Sequence, residues 1–336
     1  MSKARDMFKR VRGSVCVLKR SIPRARAKAR QGQNTTVSAK DSETQPIMYH
    51  TNLISLPESQ LVQCLGQHVA FLRWYVGFLC GELTPTASYQ RHVGSLKALS
   101  HILRMEGETS KPWETADDQK ILFDMFDGTW VRALFDLIMD PFDDVREMSS
   151  ACLRSILSNQ KYRRFTLTGS QRGESSSDEL QDLLTRSKEL ARRTARADHS
   201  DGAARAAQLV YKFSDNQEKR LLFLTRLIDG VEGKLSVAER DLGQAVQNAP
   251  IQGDFAALRY IWQAAAEIKF DEHELESVQA LQERLVDYCE RIWVAVRDIL
   301  CDDSPEGHLP QELEEVDDLN TRDVLSYSFR SIHESR

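Results

Sequence analysis

The sequence predicts an all-α protein, an α-solenoid built from HEAT- or armadillo-like helical repeats. Three observations favour this fold class. Glycine and proline are scarce, at 16 and 9 of 336 residues, which disfavours turn-rich β folds. Apolar residues recur at helical spacing over long stretches, and no stretch of any length alternates as a strand does. Short turns containing Pro or Asp separate these stretches. An irregular helical bundle is the competing architecture.

Charge divides the chain unevenly. Residues 1–40 contain twelve Lys or Arg and one acid, Asp6, and carry a formal charge of +11. The remaining residues carry −16. We expect residues 1–56 to form a basic, disordered arm and a polar linker. Residues 1–30 suit an arm that binds nucleic-acid phosphates by releasing counterions, or a mitochondrial targeting segment. The alternatives are a solvated tail or an artefact of where the reading frame was started.

Residues 57–301 are predicted to be the helical-repeat region. Helix starts are marked by a proline or by a capping side chain. The predicted helices cover residues 57–81, 86–105, 121–126, 130–139, 143–157, 178–196, 201–213, 217–232, 236–249, 254–269 and 275–300. In the last of these, apolar residues keep a period of 3.6 from Val278 to Ile299, which predicts one buried face.

A final helix is predicted over residues 320–336, after an acidic linker at 302–319. Asn320 suits its N-cap position, and Asp323 complements the helix dipole. Two stripes then run along the helix at the same period. The apolar stripe consists of Leu325, Phe329 and Ile332, and the polar stripe of Asp323, Tyr327, Arg330 and Glu334. We expect the apolar stripe to be the core of a larger fold of which this chain is a fragment.

The motifs of common enzyme classes are absent from the sequence. There is no GxGxxG or GxxxxGK[ST] loop for a nucleotide, no GxSxG, and no HExxH. Asp271–Glu274 (DEHE) lacks a second set of metal ligands and predicts a solvated helix start. We therefore predict no catalytic residue, no cofactor, no metal and no small-molecule substrate.

The compartment is predicted from the cysteines and from the absence of a membrane span. Six cysteines without a CxxC pair favour free thiols in a reducing compartment. The most apolar run, Val69–Gly81, contains Arg73 and is too short to cross a bilayer. We expect a cytoplasmic protein, with the mitochondrion as the alternative suggested by the basic N-terminus.

One polar cluster is compatible with a phosphate ligand. Tyr89, Arg91 and His92 lie at the predicted start of the second helix, and a helix N-terminus with basic residues attracts anions. An ordinary solvated helix start is the alternative.

Three stretches resemble the thyroid-adenoma-associated (THADA) family of large helical-repeat proteins. They are PTASYQRHVGSLKALSHIL (85–103), DPFDDVREMSSACLRSIL (140–157) and DVLSYSFRSIHES (323–335). The third resembles the start of the family's domain of unknown function, where a Ser-Tyr-x-Trp-Arg-x-x-Lys-Glu pattern is usual. Residues 320–336 are therefore interpreted as the truncated start of that domain.

The third stretch keeps most of that pattern and departs from it at two positions. The positions that match the pattern are Ser326, Tyr327, Arg330 and Glu334. Phe329 stands in place of the tryptophan and remains apolar, whereas His333 stands in place of the lysine.

The resemblance implies a non-catalytic scaffold or regulatory subunit. Such a protein binds the catalytic subunit of a tRNA 2′-O-methyltransferase together with tRNA, and supports methylation of a ribose in the anticodon loop. The alternative is a HEAT-like adaptor between proteins with no RNA role. The candidate contacts to a partner or to RNA are Tyr89, Arg91, His92, Tyr327, Arg330 and Glu334.

Overall fold

A computed structural model of the chain describes residues 2–32, 56–107, 128–158, 176–301 and 320–336. These residues contain twelve α-helices and no strand, which confirms the all-α class. The predicted helix at 121–126, most of the polar linker and the acidic linker at 302–319 lie outside the described residues. Among the described helices, none combines the length and the apolar character that a membrane crossing requires.

The chain divides into two compact units. Unit 1 comprises Met1–Leu134 and Ala151–Tyr162, and unit 2 comprises Phe135–Ser150 and Arg163–Arg336. The helices of unit 1 are α1 (Ser2–Gly32), α2 (Glu58–Gly81) and α3 (Tyr89–Gly107), with part of α4 (Gly128–Leu137) and of α5 (Asp143–Leu157). The first three pack on one another, and the buried side chains of α2 include Leu61, Leu72, Val76 and Leu79.

Helix α1 corrects the expectation of a disordered basic arm for residues 2–32. Residues 2–32 are helical and pack against α2 and α3. Phe8, Val15 and Leu18 are buried and lie on one side of the helix, because their spacing of seven and three residues follows the helical period. Because the segment is mostly basic, its composition did not predict this apolar face. Burying it stabilises a helix that its charge alone does not predict.

Unit 2 contains the remaining helices. They are α6 (Ser176–Thr194), α7 (Ala197–Lys212), α8 (Gln217–Arg240), α9 (Leu242–Asn248), α10 (Gln252–Ala265), α11 (Glu272–Cys301) and α12 (Thr321–Ser335). Helix α7 packs on α6 and α10, α8 packs on α11, and α12 packs on α10 and α11. The predicted face of α11 is confirmed in part, since Val278, Leu281, Ile292 and Val296 are buried.

Hydrogen bonds between helices of unit 2 recur at nearly constant sequence separations. Arg284 and Arg291 on α11 donate to Glu232 and Glu239 on α8, each across 52 residues. Helices α8 and α11 therefore run in the same direction, as equivalent helices of successive repeats do. Separations of 52 or 55 residues also occur for Arg146–Asp201, Gln208–Tyr260 and Lys212–Glu267. This regular offset is the arrangement of an α-solenoid.

Helix α8 is longer than the sequence predicts. The predicted break between helices 217–232 and 236–249 does not occur, and α8 continues through Gly233 to Arg240. Val231 and Leu235 on either side of the glycine are buried, and their packing outweighs the cost of about 1 kcal/mol for glycine in a helix. The chain breaks instead at Asp241, whose carboxylate accepts the backbone N–H of Gln244 at 2.9 Å and caps α9.

Helix α7 approaches the turn after α4 very closely at Gly202. A β-carbon at this position would lie 2.6 Å from the backbone oxygen of Ile138 and 2.5 Å from Met139 Sδ. Both distances are shorter than van der Waals contact, so glycine is required for this packing. Since α7 also carries Asp201, the close approach positions the buried charged groups described below.

Candidate functional site

The predicted phosphate-compatible cluster lies at the turn between α2 and α3. Arg91 is exposed, and its guanidinium forms a bidentate ion pair with the Glu82 carboxylate, including a hydrogen bond of 2.6 Å from Nη2 to Oε1. This pair lowers the pKa of Glu82. His92 is buried, and its Nε2 donates to the backbone oxygen of Thr84 at 2.8 Å. Of the three predicted residues, Arg91 is exposed, Tyr89 is half-buried and His92 supports the turn.

The exposed side of α1 carries a row of cations. Arg10, Arg24 and Lys28 are exposed and share one face, since 14 and four residues are close to whole numbers of turns. Lys9 is exposed beside Arg10. Within the described residues, no carboxylate pairs with any of these four side chains. We call Lys9, Arg10, Arg24 and Lys28 the basic face of α1.

Arg26 differs from the four residues of the basic face, because it forms an ion pair with a carboxylate of unit 1. Its Nε and Nη2 donate to Glu58 Oε1 at 2.9 and 2.6 Å, which lowers the pKa of Glu58. Glu58 opens α2, whereas Arg26 lies near the end of α1, so the two helices are antiparallel neighbours. The bond helps to hold α1 against α2 while the basic face stays exposed.

Helix α12 packs inward through a face that matches neither predicted stripe and includes only Tyr327 of the polar one. Asn320 Oδ1 accepts the backbone N–H of Asp323 at 2.9 Å, which confirms the predicted cap. Tyr327 is buried together with Val324, Ser328 and Ser331, on a helix that packs against α10 and α11. Burial raises the pKa of Tyr327, while the nearby Ser331 hydroxyl acts in the opposite direction. Tyr327 is thus part of the packing of unit 2 rather than of its surface.

The other two predicted residues of α12 are partly exposed. Glu334 pairs with Arg259 on α10 at 2.7 Å, which links the end of α12 to α10. Arg330 is half-buried; burial lowers its pKa, and Glu334 opposes that shift. Phe329, on the predicted apolar stripe, is 62% exposed. The apolar stripe is therefore exposed at Phe329. The predicted contact roles of Tyr327, Arg330 and Glu334 stay predictions.

A buried cluster of charged groups centres on Asp201 of α7. Its carboxylate accepts hydrogen bonds from Arg146 Nε at 2.6 Å, from Arg205 Nε at 2.9 Å and from the Tyr260 hydroxyl at 2.6 Å. The side chains of Arg146 and Arg205 are only 8% and 6% exposed. Burial would raise the pKa of Asp201, but Arg205, Tyr260 and Arg146 outweigh it and lower the pKa.

The remaining groups of the cluster satisfy the two guanidinium ions. Arg146 Nη1 donates to the backbone oxygens of Asp140 and Pro141 at 2.8 and 3.1 Å. Asp143 accepts from Arg146 at 3.2 Å and from Arg205 at 2.9 Å. Two arginines and two aspartates balance in charge. Asp201 is 18% exposed, whereas Asp143 lies at the solvent edge of the cluster with its side chain 69% exposed. This cluster joins α5, α7 and α10 within unit 2.

Sequence reasoning found only one side of this cluster. The stretch DPFDDVRE, which contains Asp140, Asp143 and Arg146, was singled out by its resemblance to the THADA family. Asp201 and Arg205 were missed, although their spacing of four residues is that of a helical ion pair. No local pattern indicates that they contact a segment about 55 residues earlier.

Metal-ligating and thiol side chains are scattered over the described residues. No group of three or more His, Cys, Asp or Glu side chains within them is placed to hold a metal ion. The five cysteines whose side chains the structure describes form no disulfide, and Cys16 and Cys152 are buried. Burial raises the pKa of Cys152 to about 11, so its thiol is protonated and unreactive at neutral pH.

Two family models match the chain. The model described as Trm732, TPR repeats, matches residues 1–147, and the model described as THADA/TRM732, DUF2428, matches residues 280–336. The predicted resemblance to the THADA family is therefore confirmed. The first match includes α1, and the second begins inside α11 rather than at residue 320.

A curated relative matches most of the chain. It is the tRNA (32-2′-O)-methyltransferase regulator trm732 of Schizosaccharomyces pombe, with 28% identity over 283 residues. The match covers 81% of this chain and 18% of the relative, so the chain spans less than a fifth of that protein's length. No solved structure matches.

Proposed function

We propose that this chain, a relative of the THADA/Trm732 proteins, is part of a non-catalytic regulatory subunit for 2′-O-methylation of tRNA. It binds the catalytic methyltransferase and the tRNA and supports methylation of a ribose in the anticodon loop. The observation that carries this proposal is the match, over 81% of the chain, to a protein named as a regulator of a tRNA 2′-O-methyltransferase.

The helical architecture supports such a role. Hydrogen bonds in unit 2 recur at offsets of 52 or 55 residues, and stacked repeats of this kind generally present extended binding surfaces. Folded RNA is recognised largely by its shape and by scattered phosphate contacts, which an extended surface supplies. The exposed cations of α1 provide charge of the appropriate sign.

Removal of the gene that encodes this chain tests the proposal. We expect 2′-O-methylation in the tRNA anticodon loop, measured by mass spectrometry of digested tRNA, to be lost and to return with the wild-type gene. A matched strain that lacks an unrelated helical-repeat protein controls for general effects on growth. Unchanged methylation in the deleted strain would contradict the proposal.

A protein adaptor without an RNA role is the second candidate. It is favoured by the charge of −16 on residues 41–336 and by two exposed aromatic residues on α2, Trp74 and Phe78, which are 63% and 49% exposed and stack at 5.9 Å. Purification before and after ribonuclease treatment separates the two functions. An adaptor predicts unchanged partners and no co-purifying tRNA, whereas the regulatory subunit predicts tRNA that ribonuclease removes.

We also propose that the protein acts in the cytoplasm. The scattered cysteines without a disulfide pattern suit a reducing compartment. A fluorescent reporter fused after residue 35 tests the mitochondrial alternative. Diffuse fluorescence is expected, and import into mitochondria would contradict this proposal.

A further inference from the structure

We infer that the basic face of α1 is an RNA-backbone contact surface of this protein. This inference rests on the proposed function and assigns the tRNA contact to one helix. Lys9, Arg10, Arg24 and Lys28 are all exposed. From Arg10 to Lys28 the helix extends about 27 Å at 1.5 Å per residue, which is long enough to follow several phosphates.

The helix holds these cations in place because its opposite side is fixed to the protein. Phe8, Val15 and Leu18 are buried, and α1 packs against α2 and α3. Arg26 is bound to Glu58 and adds a polar link to α2. A charged side chain on a packed helix loses less conformational freedom on binding than one on a flexible tail, so each phosphate contact costs less.

Charge favours an anionic polymer as the ligand. Asp6 is the only acidic residue of α1, whereas Lys and Arg occur throughout it. Within the described residues the four cations of the basic face have no carboxylate partner that an RNA phosphate would need to displace. Arginine and lysine gain affinity for nucleic acids by releasing counterions from the phosphate backbone, and this contribution does not depend on base sequence.

An anionic membrane is the less suitable ligand. A helix that lies in a membrane surface inserts its apolar face between the lipids. The apolar face of α1 is already buried against unit 1, and the exposed large hydrophobic residues of α1 are only Met7 and Val17, at 38% and 40%. Phosphate contacts therefore use the face that α1 exposes, whereas membrane insertion would require the face that it buries.

Substitution of three exposed cations tests the inference in the full 336-residue chain. The variant R10Q/R24Q/K28Q removes three positive charges from the basic face, and glutamine keeps the helix because its helix propensity is close to that of Lys and Arg. The control variant R226Q/R240Q/K269Q removes the same residue types from exposed positions of unit 2. Circular dichroism and thermal unfolding are expected to match the wild type in both variants.

Binding is measured with an in-vitro-transcribed tRNA at several salt concentrations. Three lost phosphate contacts should weaken binding at least tenfold at low salt and flatten the plot of log K against log[salt] by about 2–3 units. The control should bind as the wild type does. Equal affinity and equal salt dependence for the two variants would overturn the inference.

Two further measurements separate this inference from its alternatives. If R10Q/R24Q/K28Q loses binding to vesicles of phosphatidylcholine and phosphatidylserine but keeps tRNA binding, the inference is overturned in favour of a membrane ligand. If tRNA binding is unchanged while deletion of the gene still abolishes methylation, the inference falls and the proposed function stands.

Discussion

Replacing Asp201 by asparagine tests whether the buried charged cluster holds unit 2 together. The substitution keeps the size of the side chain and one oxygen acceptor but removes the negative charge between Arg146 and Arg205. Their side chains are 8% and 6% exposed, so solvent cannot replace the lost carboxylate. Removal of one partner from a buried ion pair costs about 3–5 kcal/mol. Since Asp143 still pairs with both arginines, we expect the lower end, about 3 kcal/mol.

The assay is urea-induced unfolding followed by circular dichroism, with hydrogen exchange of the α7 amides to locate the change in unit 2. Asp215→Asn is the matched control, because Asp215 pairs with Lys219 at 2.6 Å on the surface, where the pair is 49% and 57% exposed. That pair should contribute no more than about 1 kcal/mol. A D201N variant within about 1 kcal/mol of the wild type would refute the structural role of the cluster.

Three further predictions concern unit 2. The folded-state pKa of Asp201 is lowered, so its contribution to stability is present above the unfolded pKa of about 3.9 and is lost as the pH falls below that value. The difference between wild type and D201N in urea unfolding should therefore shrink in acid. Gly202→Ala should destabilise by about 1–3 kcal/mol, whereas Gly230→Ala, which meets no atom within 4 Å, should be neutral or stabilising in thermal unfolding. Phe329→Ala should cost less than about 0.5 kcal/mol, but Val324→Ala, fully buried, about 1–3 kcal/mol.

One experimental result would contradict each of these three predictions. A D201N deficit that stays constant down to pH 3 would mean that the charge of the carboxylate is irrelevant. Equal melting temperatures for the two glycine variants would exclude close packing of α7 on the turn after α4. A large loss on substitution of Phe329 would show that its ring is buried in the protein.

Local periodicity was sufficient to predict most helices but not which side of each helix faces inward. The 3.6-residue period of α11 correctly predicted the burial of Ile292 and Val296, and the Asn320 cap is present. On α12 the sequence offered an apolar stripe and a polar stripe. Neither stripe is the buried face, which consists of Val324, Tyr327, Ser328 and Ser331. The two serines are small and let α12 approach its neighbours around Tyr327. That choice depends on tertiary contacts and leaves no local pattern.

Composition misled the prediction for α1. The prediction of a disordered arm rested on the charge of +11 on residues 1–40, although Phe8, Val15 and Leu18 follow the helical period. A segment can be strongly basic and still fold when one of its faces is apolar and a partner helix covers it.

The candidate contact residues differ in exposure, and their contact roles stay predictions. Arg91 is exposed, whereas His92 is buried beneath the turn and Tyr327 is buried within unit 2. A motif that resembles a family can therefore mark a packing position as easily as a contact. The stretch DPFDDVRE is such a case, since Arg146 binds Asp201 inside unit 2.

The rate of methylation in a reconstituted reaction tests the proposed function most directly. The cognate tRNA 2′-O-methyltransferase is incubated with a tRNA transcript, with and without the gene product that contains this chain. We predict that 2′-O-methylation of the anticodon loop requires this protein and slows when R10Q/R24Q/K28Q replaces the wild type. An equal methylation rate in its presence and absence would contradict the proposal that the protein regulates this enzyme.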